Sequence, residues 1–219
     1  MKNKIGTIIG LLAIITSLIL IGIMAKIIIP QIPNHLIIFL ISIPIGILFM
    51  DFVSGLAHWA GDTWGNEYWP ILGKSFIRPF REHHTDQKEI TKHNFIKTNI
   101  NNAIITIPFL ILAINLALSD LKSNFLIGST SLVVALLALF TNQIHKWAHT
   151  KRVNRFVRYL QKKRLILSPE NHKIHHTKPH TDYYSITNGW TNKLLYKIKF
   201  YRLLEYLISK LTGATPRDY

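Results

Sequence analysis

The sequence predicts an all-α, multi-pass integral membrane protein with about four transmembrane helices and a cytoplasmic, His-rich metal site capped by interfacial amphipathic helices. Three observations point there. Four long apolar runs are separated by polar segments. Of the 26 Lys and Arg residues, all but two fall in segments that four crossings place on one side, and so does every one of the 11 histidines except His35. At 219 residues, with no internal repeat or low-complexity linker, the chain reads as one domain over 1–219.

The first run, 5–29, is interrupted only by Lys26 and is long enough to cross a hydrocarbon core of about 30 Å. Lys2 and Lys4 ahead of it resemble the start of a signal peptide. The run is too long for an h-region, however, and no small-x-small cleavage site follows, so it is read as an uncleaved span. Past the turn-forming Ile-Pro-Gln-Ile-Pro-Asn, the second run covers about 35–59, apolar up to Met50 and tolerating Pro44 as a kink. The third, 100–118, contains Pro108, and the fourth covers 125–144; both are near the lower length limit for a span. Two polar, His-bearing segments remain, 58–99 and 145–219.

Charge sets the orientation. With four spans, the N-terminus, 60–99 and everything after His145 share one side, and only the connectors 30–34 and 119–124 face the other. Lys26 and Lys122 are the two basic exceptions, so the positive-inside rule makes the first side the cytoplasm. This topology accounts for most of the formal charge of +15, and no nucleic-acid partner is expected. Composition and short termini suggest a bacterial cytoplasmic membrane. In 153–165, Val153, Phe156, Val157 and Leu160 repeat at helical spacing against Arg152, Arg155, Arg158, Lys162 and Lys163. That pattern fits a helix in the headgroup layer with its basic face towards anionic lipid, or one that packs on the rest of the domain. A second amphipathic stretch runs from Leu194 and Leu195 through Ile198, Tyr201, Leu204, Leu207 and Ile208 to Leu211, ended by Gly213 and Pro216.

With no cysteine, any metal must be held by nitrogen and oxygen. If the fourth helix continues past its apolar run, His145 and His149 point from one face, four residues apart. If the second continues likewise, Asp51, His58 and Asp62 lie near one face, with Asp51 an ionisable group at the membrane boundary. His83-His84 and His172-Lys-Ile-His175-His176 supply the rest. Setting aside the histidines in the poorest contexts leaves His58, His83, His84, His145, His149, His172, His175 and His176 as candidate ligands. Eight imidazoles exceed the need of one four-coordinate ion and suggest two metals. His93 and His180 are weaker candidates. Asp62, Glu82, Asn142, Glu170, Asn171 and Asp182 stand near enough in sequence to orient ring N–H groups, as Asp51 does.

The His-Glu-x-x-His, Gly-x-Ser-x-Gly, P-loop and Gly-x-Gly-x-x-Gly signatures are absent. Imidazole suits zinc, copper, iron and nickel, and intrinsic affinity does not favour iron, so the residues leave the metal open. Oxidising inert C–H bonds beside a bilayer would call for a stronger oxidant than any side chain, which two irons activating O2 would supply. No haem or flavin signature is present, so electrons are expected from a separate cytochrome- or ferredoxin-type donor, steered by the basic face. A metal carrier would also use many histidines. It would place polar groups within the spans, and those between Ile5 and Met50 have almost none.

Four blocks carry a resemblance to a known family. They are Asp51-Phe-Val-Ser-Gly-Leu-Ala-His58-Trp-Ala-Gly-Asp62-Thr-Trp-Gly, Gly73-Lys-Ser-Phe-Ile-Arg-Pro-Phe-Arg-Glu-His83-His84, Asn142-Gln-Ile-His145-Lys-Trp-Ala-His149 and His172-Lys-Ile-His175-His176. Pro179-His180 and Asn188-Gly-Trp190 continue it. The chain resembles the lipid desaturase family that includes plasmanylethanolamine desaturase, CarF and Kua proteins, over about 51–216. The resemblance implies an O2-dependent di-iron enzyme that converts a 1-O-alkyl ether phospholipid to its 1-O-alk-1′-enyl form. It implies the eight imidazoles as iron ligands and Asp62 as essential, either on the metal or behind a ligand. The plant branch includes a desaturase of palmitate on phosphatidylglycerol, so an acyl-lipid desaturase or a hydroxylase with the same ligands stays open.

Overall fold

The computed structural model describes residues 2–217. The side chains of 2–4 and 121–122 lie outside that description, and with them those of Lys2, Lys4 and Lys122, which entered the charge argument. The described residues form ten α-helices, one 3₁₀ turn and one π turn, with no strand. In chain order the helices are α1 (Lys2–Ile28), α2 (Leu36–Thr63), α3 (Arg78–Thr85), α4 (Glu89–Lys92), α5 (Phe95–Ser119), α6 (Leu121–His149), α7 (Arg155–Lys162), α8 (Pro169–His175), α9 (Asn192–Lys197) and α10 (Phe200–Thr212).

Four of them, α1, α2, α5 and α6, are long and apolar enough to cross a bilayer, as expected. Their ends differ from the apolar runs for a physical reason. Hydropathy marks where side chains turn polar, whereas a helix continues while its polar side chains find partners. Thus α2 runs through His58 and Asp62 to Thr63, and α6 through His145 to His149. Helix α5 starts at Phe95, ahead of its apolar run, because the Asn94 side chain accepts from the Lys97 N–H and caps it.

The residues divide into two compact units, Met1–Met50 with His93–Gln143, and Asp51–Lys92 with Ile144–Tyr219. In the first, α5 presents Ala103, Leu110, Ala113 and Ala117 at spacings of seven, three and four residues, all buried in one cluster with Ile14, Ile21, Met24 and Ile28 of α1. Alanine lets the two backbones approach closely, and Ser17 Oγ donates to the Ala103 carbonyl at 3.0 Å. An asparagine ladder ties α5 to α6: Asn99 Oδ1 accepts from the Gln143 N–H, and Asn142 Nδ2 donates to the Thr98 carbonyl and to Asn102 Oδ1. Asn142, a candidate ring orienter by sequence, is therefore engaged in joining helices. Many large aliphatic side chains of this unit face outward, among them Ile8, Leu12, Ile19, Ile37, Leu40, Ile105 and Leu112. Such a surface suits hydrocarbon.

The second unit has two apolar clusters. Val157 of α7 is buried with Ile144, Ala148, Ile166, Leu167 and Ile186, and Val153 and Leu160 pack beside it. Arg152, Arg155, Arg158, Lys162 and Lys163 are exposed, together with Phe156 and Tyr159. Helix α7 thus packs on its unit by one edge and still shows a basic and aromatic face. The second cluster joins Trp59 to Tyr184, Leu195 and Tyr201. The amphipathic stretch 194–211 is two helices rather than one, because Lys199 sits at φ 53 between α9 and α10. Trp59 Nε1 anchors α10 by donating to Glu205 Oε1 at 3.1 Å.

Candidate metal centre

Every residue of the centre lies in the second unit. An α-helix turns about 100° per residue, so residues one apart diverge while residues four apart share a face. The histidines sort by that rule into two groups. His145 and His149 of α6 (i, i+4) enter one group with His172 and His176 of the α8 region (i, i+4) and His83 of α3. His58 and Asp62 of α2 (i, i+4) enter the other with His84 and His175. The adjacent pairs His83-His84 and His175-His176 cannot aim at one point, and each gives one imidazole to each group. All potential donor atoms within a group lie within 4.8 Å of one another.

In the five-imidazole group the Nε2 atoms converge. His83 faces His149 at 2.8 Å, His145 faces His172 at 2.8 Å, His176 faces His172 at 3.0 Å, and His149 faces His145 at 3.3 Å. Burial, reinforced by the neighbouring imidazoles, lowers the pKa of His83, His172 and His176 and keeps these rings neutral near pH 7. The buried Nδ1 atoms of His172 and His176 have no partner among the described residues, so no acceptor there holds a proton on them.

The second group is built around one oxygen. Asp62 Oδ2 lies 2.9 Å from His84 Nε2 and 3.5 Å from Nε2 of both His58 and His175. His58 Nδ1 donates to the Tyr184 carbonyl at 3.0 Å and His175 Nδ1 to the Asp182 carbonyl at 2.9 Å. A carbonyl only accepts, which fixes the tautomer: each neutral ring then carries its lone pair on Nε2. Two buried lone pairs thus point at a buried carboxylate, and His58 Nε2, His175 Nε2 and Asp62 Oδ1 have no hydrogen-bond partner among the described residues. A cation among them is attracted by all of these groups at once, so the donor set fits a metal ion. The five nitrogens of the other group, with no carboxylate, form a second donor set, made of nitrogen alone.

Gly61 opens room beside this group, since a Cβ there would lie 2.6 Å from Phe80 Cδ2, and the Phe80 ring packs 4.9 Å from that of His58.

The weaker sequence candidates fall outside both groups. Glu82 and Glu170 are exposed. Asn171 Oδ1 accepts from Asn192 Nδ2. Asp182 orients His175 through its main-chain carbonyl rather than its carboxylate. The His180 ring packs 4.6 Å from that of His84, and its Nδ1 donates to the His175 carbonyl. His93 lies in the bend between α4 and α5 and joins neither group. Asp51 is buried, and its oxygens accept from the 188–191 loop rather than from a ring. Sequence reasoning missed the main-chain carbonyls of Asp182 and Tyr184, together with Ser54, Ser185 and Thr191, which hold that segment. The block Asn188-Gly-Trp190 was the available signal.

A profile of the lipid desaturase domain matches residues 47–219. The chain is 46% identical over 177 residues to the plasmanylethanolamine desaturase of Myxococcus xanthus, covering 81% of this chain and 63% of that protein. It is 43% identical over 189 residues to plasmanylethanolamine desaturase 1 of Mus musculus, covering 84% and 70%. It is 31% identical over 176 residues to the chloroplastic fatty acid desaturase 4 of Arabidopsis thaliana, covering 80% and 53%. No solved structure matches it. A match that takes in every residue of both histidine groups, with relatives this similar, shows that the chain belongs to the lipid desaturase domain family.

Proposed function

We propose that this chain is an O2-dependent di-iron lipid desaturase that forms the vinyl-ether bond of plasmalogens, converting a 1-O-alkyl ether phospholipid to its 1-O-alk-1′-enyl form. The observation that carries the metal reading is the Asp62 group, where two carbonyl-fixed tautomers aim lone pairs at one buried carboxylate. His58, His84, His175 and Asp62 would hold one iron, and His83, His145, His149, His172 and His176 the other. Two irons bound there supply the O2-activating chemistry that desaturation of an unactivated C–H bond requires. Removing two hydrogens from the lipid while O2 becomes two waters consumes two electrons and two protons. A separate cytochrome- or ferredoxin-type donor would provide the electrons.

The lipid reading rests on the relatives and on position. The carbons oxidised in an alkyl ether adjoin the glycerol backbone, at headgroup depth, and the candidate ligands of α2 and α6 sit at the polar ends of apolar runs. In the same unit the lining of a cleft of about 760 Å³ includes Lys162, Arg164, Lys193 and Trp190 beside one carboxylate, Glu170, a net positive lining suited to a phosphate at a membrane interface. The bias of Lys and Arg towards one side of the four spans supports a site on the cytoplasmic face, and composition supports a bacterial cytoplasmic membrane. The test is lipidomics of a host supplied with alkyl ether lipid, with and without the chain. Appearance of alkenyl lipid supports the proposal. A new acyl double bond instead would assign the second reading, that of an acyl-lipid desaturase, which the similarity to the Arabidopsis protein favours.

A further inference from the structure

The segment 182–192 has no regular structure over most of its length, yet its carbonyls fix the tautomers of His58 and His175. What holds the segment is largely one side chain. Asp51 is fully buried on α2, seven residues before His58. Its Oδ1 accepts from the Asn188 N–H at 2.9 Å and the Gly189 N–H at 2.8 Å. Its Oδ2 accepts from the Thr191 N–H at 2.9 Å and from Thr191 Oγ1 at 2.7 Å. Because Thr191 Oγ1 gives its proton to Asp51, it is the acceptor for Ser185 Oγ, 2.8 Å away. Ser185 follows Tyr184, whose carbonyl takes the His58 proton. One turn along α2, Ser54 Oγ donates to the Asp51 carbonyl at 2.7 Å and accepts from the Ile186 N–H at 3.1 Å.

We propose that Asp51 is a positioning residue for one metal subsite alone: through Thr191 and Ser185 it sets the carbonyls that orient His58 and His175, and so the iron held with Asp62 and His84. Both rings in contact with this segment belong to the Asp62 group. In the other group the buried Nδ1 atoms of His172 and His176 have no hydrogen-bond partner among the described residues. The inference rests on the two-metal reading above, and it predicts unequal loss. Asn at this position presents an NH₂ to backbone donors and cannot accept all four bonds. Loss of a partner that orients a metal-binding imidazole costs about 10- to 100-fold in metal affinity.

The experiment is iron content and Mössbauer spectra of full-length protein in detergent, with unfolding of the metal-free chain as a second readout. Variants are Asp51→Asn, Thr191→Val, Thr191→Ser and, as a control, Glu205→Gln, which weakens the Trp59 and Arg202 contacts in the same unit. The expected result is about two irons per chain in the parent and the control. Asp51→Asn should hold about one, with one spectral component retained, and Thr191→Val should lie between. Thr191→Ser, which keeps the hydroxyl, should match the parent. Two irons and a parental spectrum in Asp51→Asn would overturn the inference, as would equal loss of both components. If Asp51→Asn does not fold, Thr191→Val against Thr191→Ser decides by the same criterion. A parent that does not bind two metals would overturn the two-metal reading itself, a result distinct from these.

Discussion

At the residue scale the centre depends on side chains that differ little in type but much in placement. His149→Ala and His175→Ala each remove one member of a different group and should abolish alkenyl-lipid formation at normal protein level. His35→Ala should leave it within about a fewfold, because the His35 ring lies tilted against Phe125 at 4.8 Å in the other unit and belongs to neither group. Full turnover in either of the first two would remove that residue from the ligand set. Asp62→Asn keeps the shape but loses the charge that three imidazoles face, so activity should fall at least about tenfold. Parental activity in that variant would leave Asp62 as a helix-end residue. Titration adds a sign. His83, His172 and His176 have folded pKa values below the ordinary 6.5, so the folded state binds fewer protons than the unfolded one. Their contribution is complete above about pH 6.5 and is lost as pH falls towards the folded values. The metal-free chain should therefore unfold at a lower temperature at pH 5 than at pH 7, and an unchanged midpoint would contradict the burial of these rings.

At the element scale, α2 serves the centre by what it lacks as much as by what it carries. Gly55 faces the 182–192 segment and α10, and a Cβ there would overlap Tyr201 Oη and Ser185 Oγ. Gly55→Ala should destabilise the second unit by about 1–3 kcal/mol, the usual cost of overpacking, and displace Ser185. Denaturant unfolding checks the first effect and iron content the second. The short helices α3 and α8 show why adjacent histidines are useful in this architecture. One turn of helix sends its two imidazoles to different groups, so two short elements can serve both groups.

At the scale of the whole molecule, the proposed topology has a direct test because the natural chain contains no cysteine. Single substitutions Gln87→Cys and Ser119→Cys, both at exposed positions, should label from opposite sides of sealed inverted vesicles with a membrane-impermeant maleimide. The first should react from the cytoplasmic side and the second only after the membrane is opened. Labelling of both from one side would reject four crossings.

The sequence by itself determined the helical class and the four candidate spans and singled out the eight imidazoles with Asp62 as candidate ligands, because apolar length, charge bias and residue chemistry are local properties that survive without coordinates. Helical spacing also grouped His145 with His149 and His58 with Asp62. Only the tertiary structure decided which imidazoles from distant segments share a group, and that the adjacent pairs split between groups. It also decided that backbone carbonyls, rather than Glu82, Glu170 or the Asp51 carboxylate, fix the tautomers of His58 and His175. A carbonyl has no letter in the sequence: every residue carries one, and which of them meets an imidazole depends on how the chain between 182 and 192 is folded back onto α2.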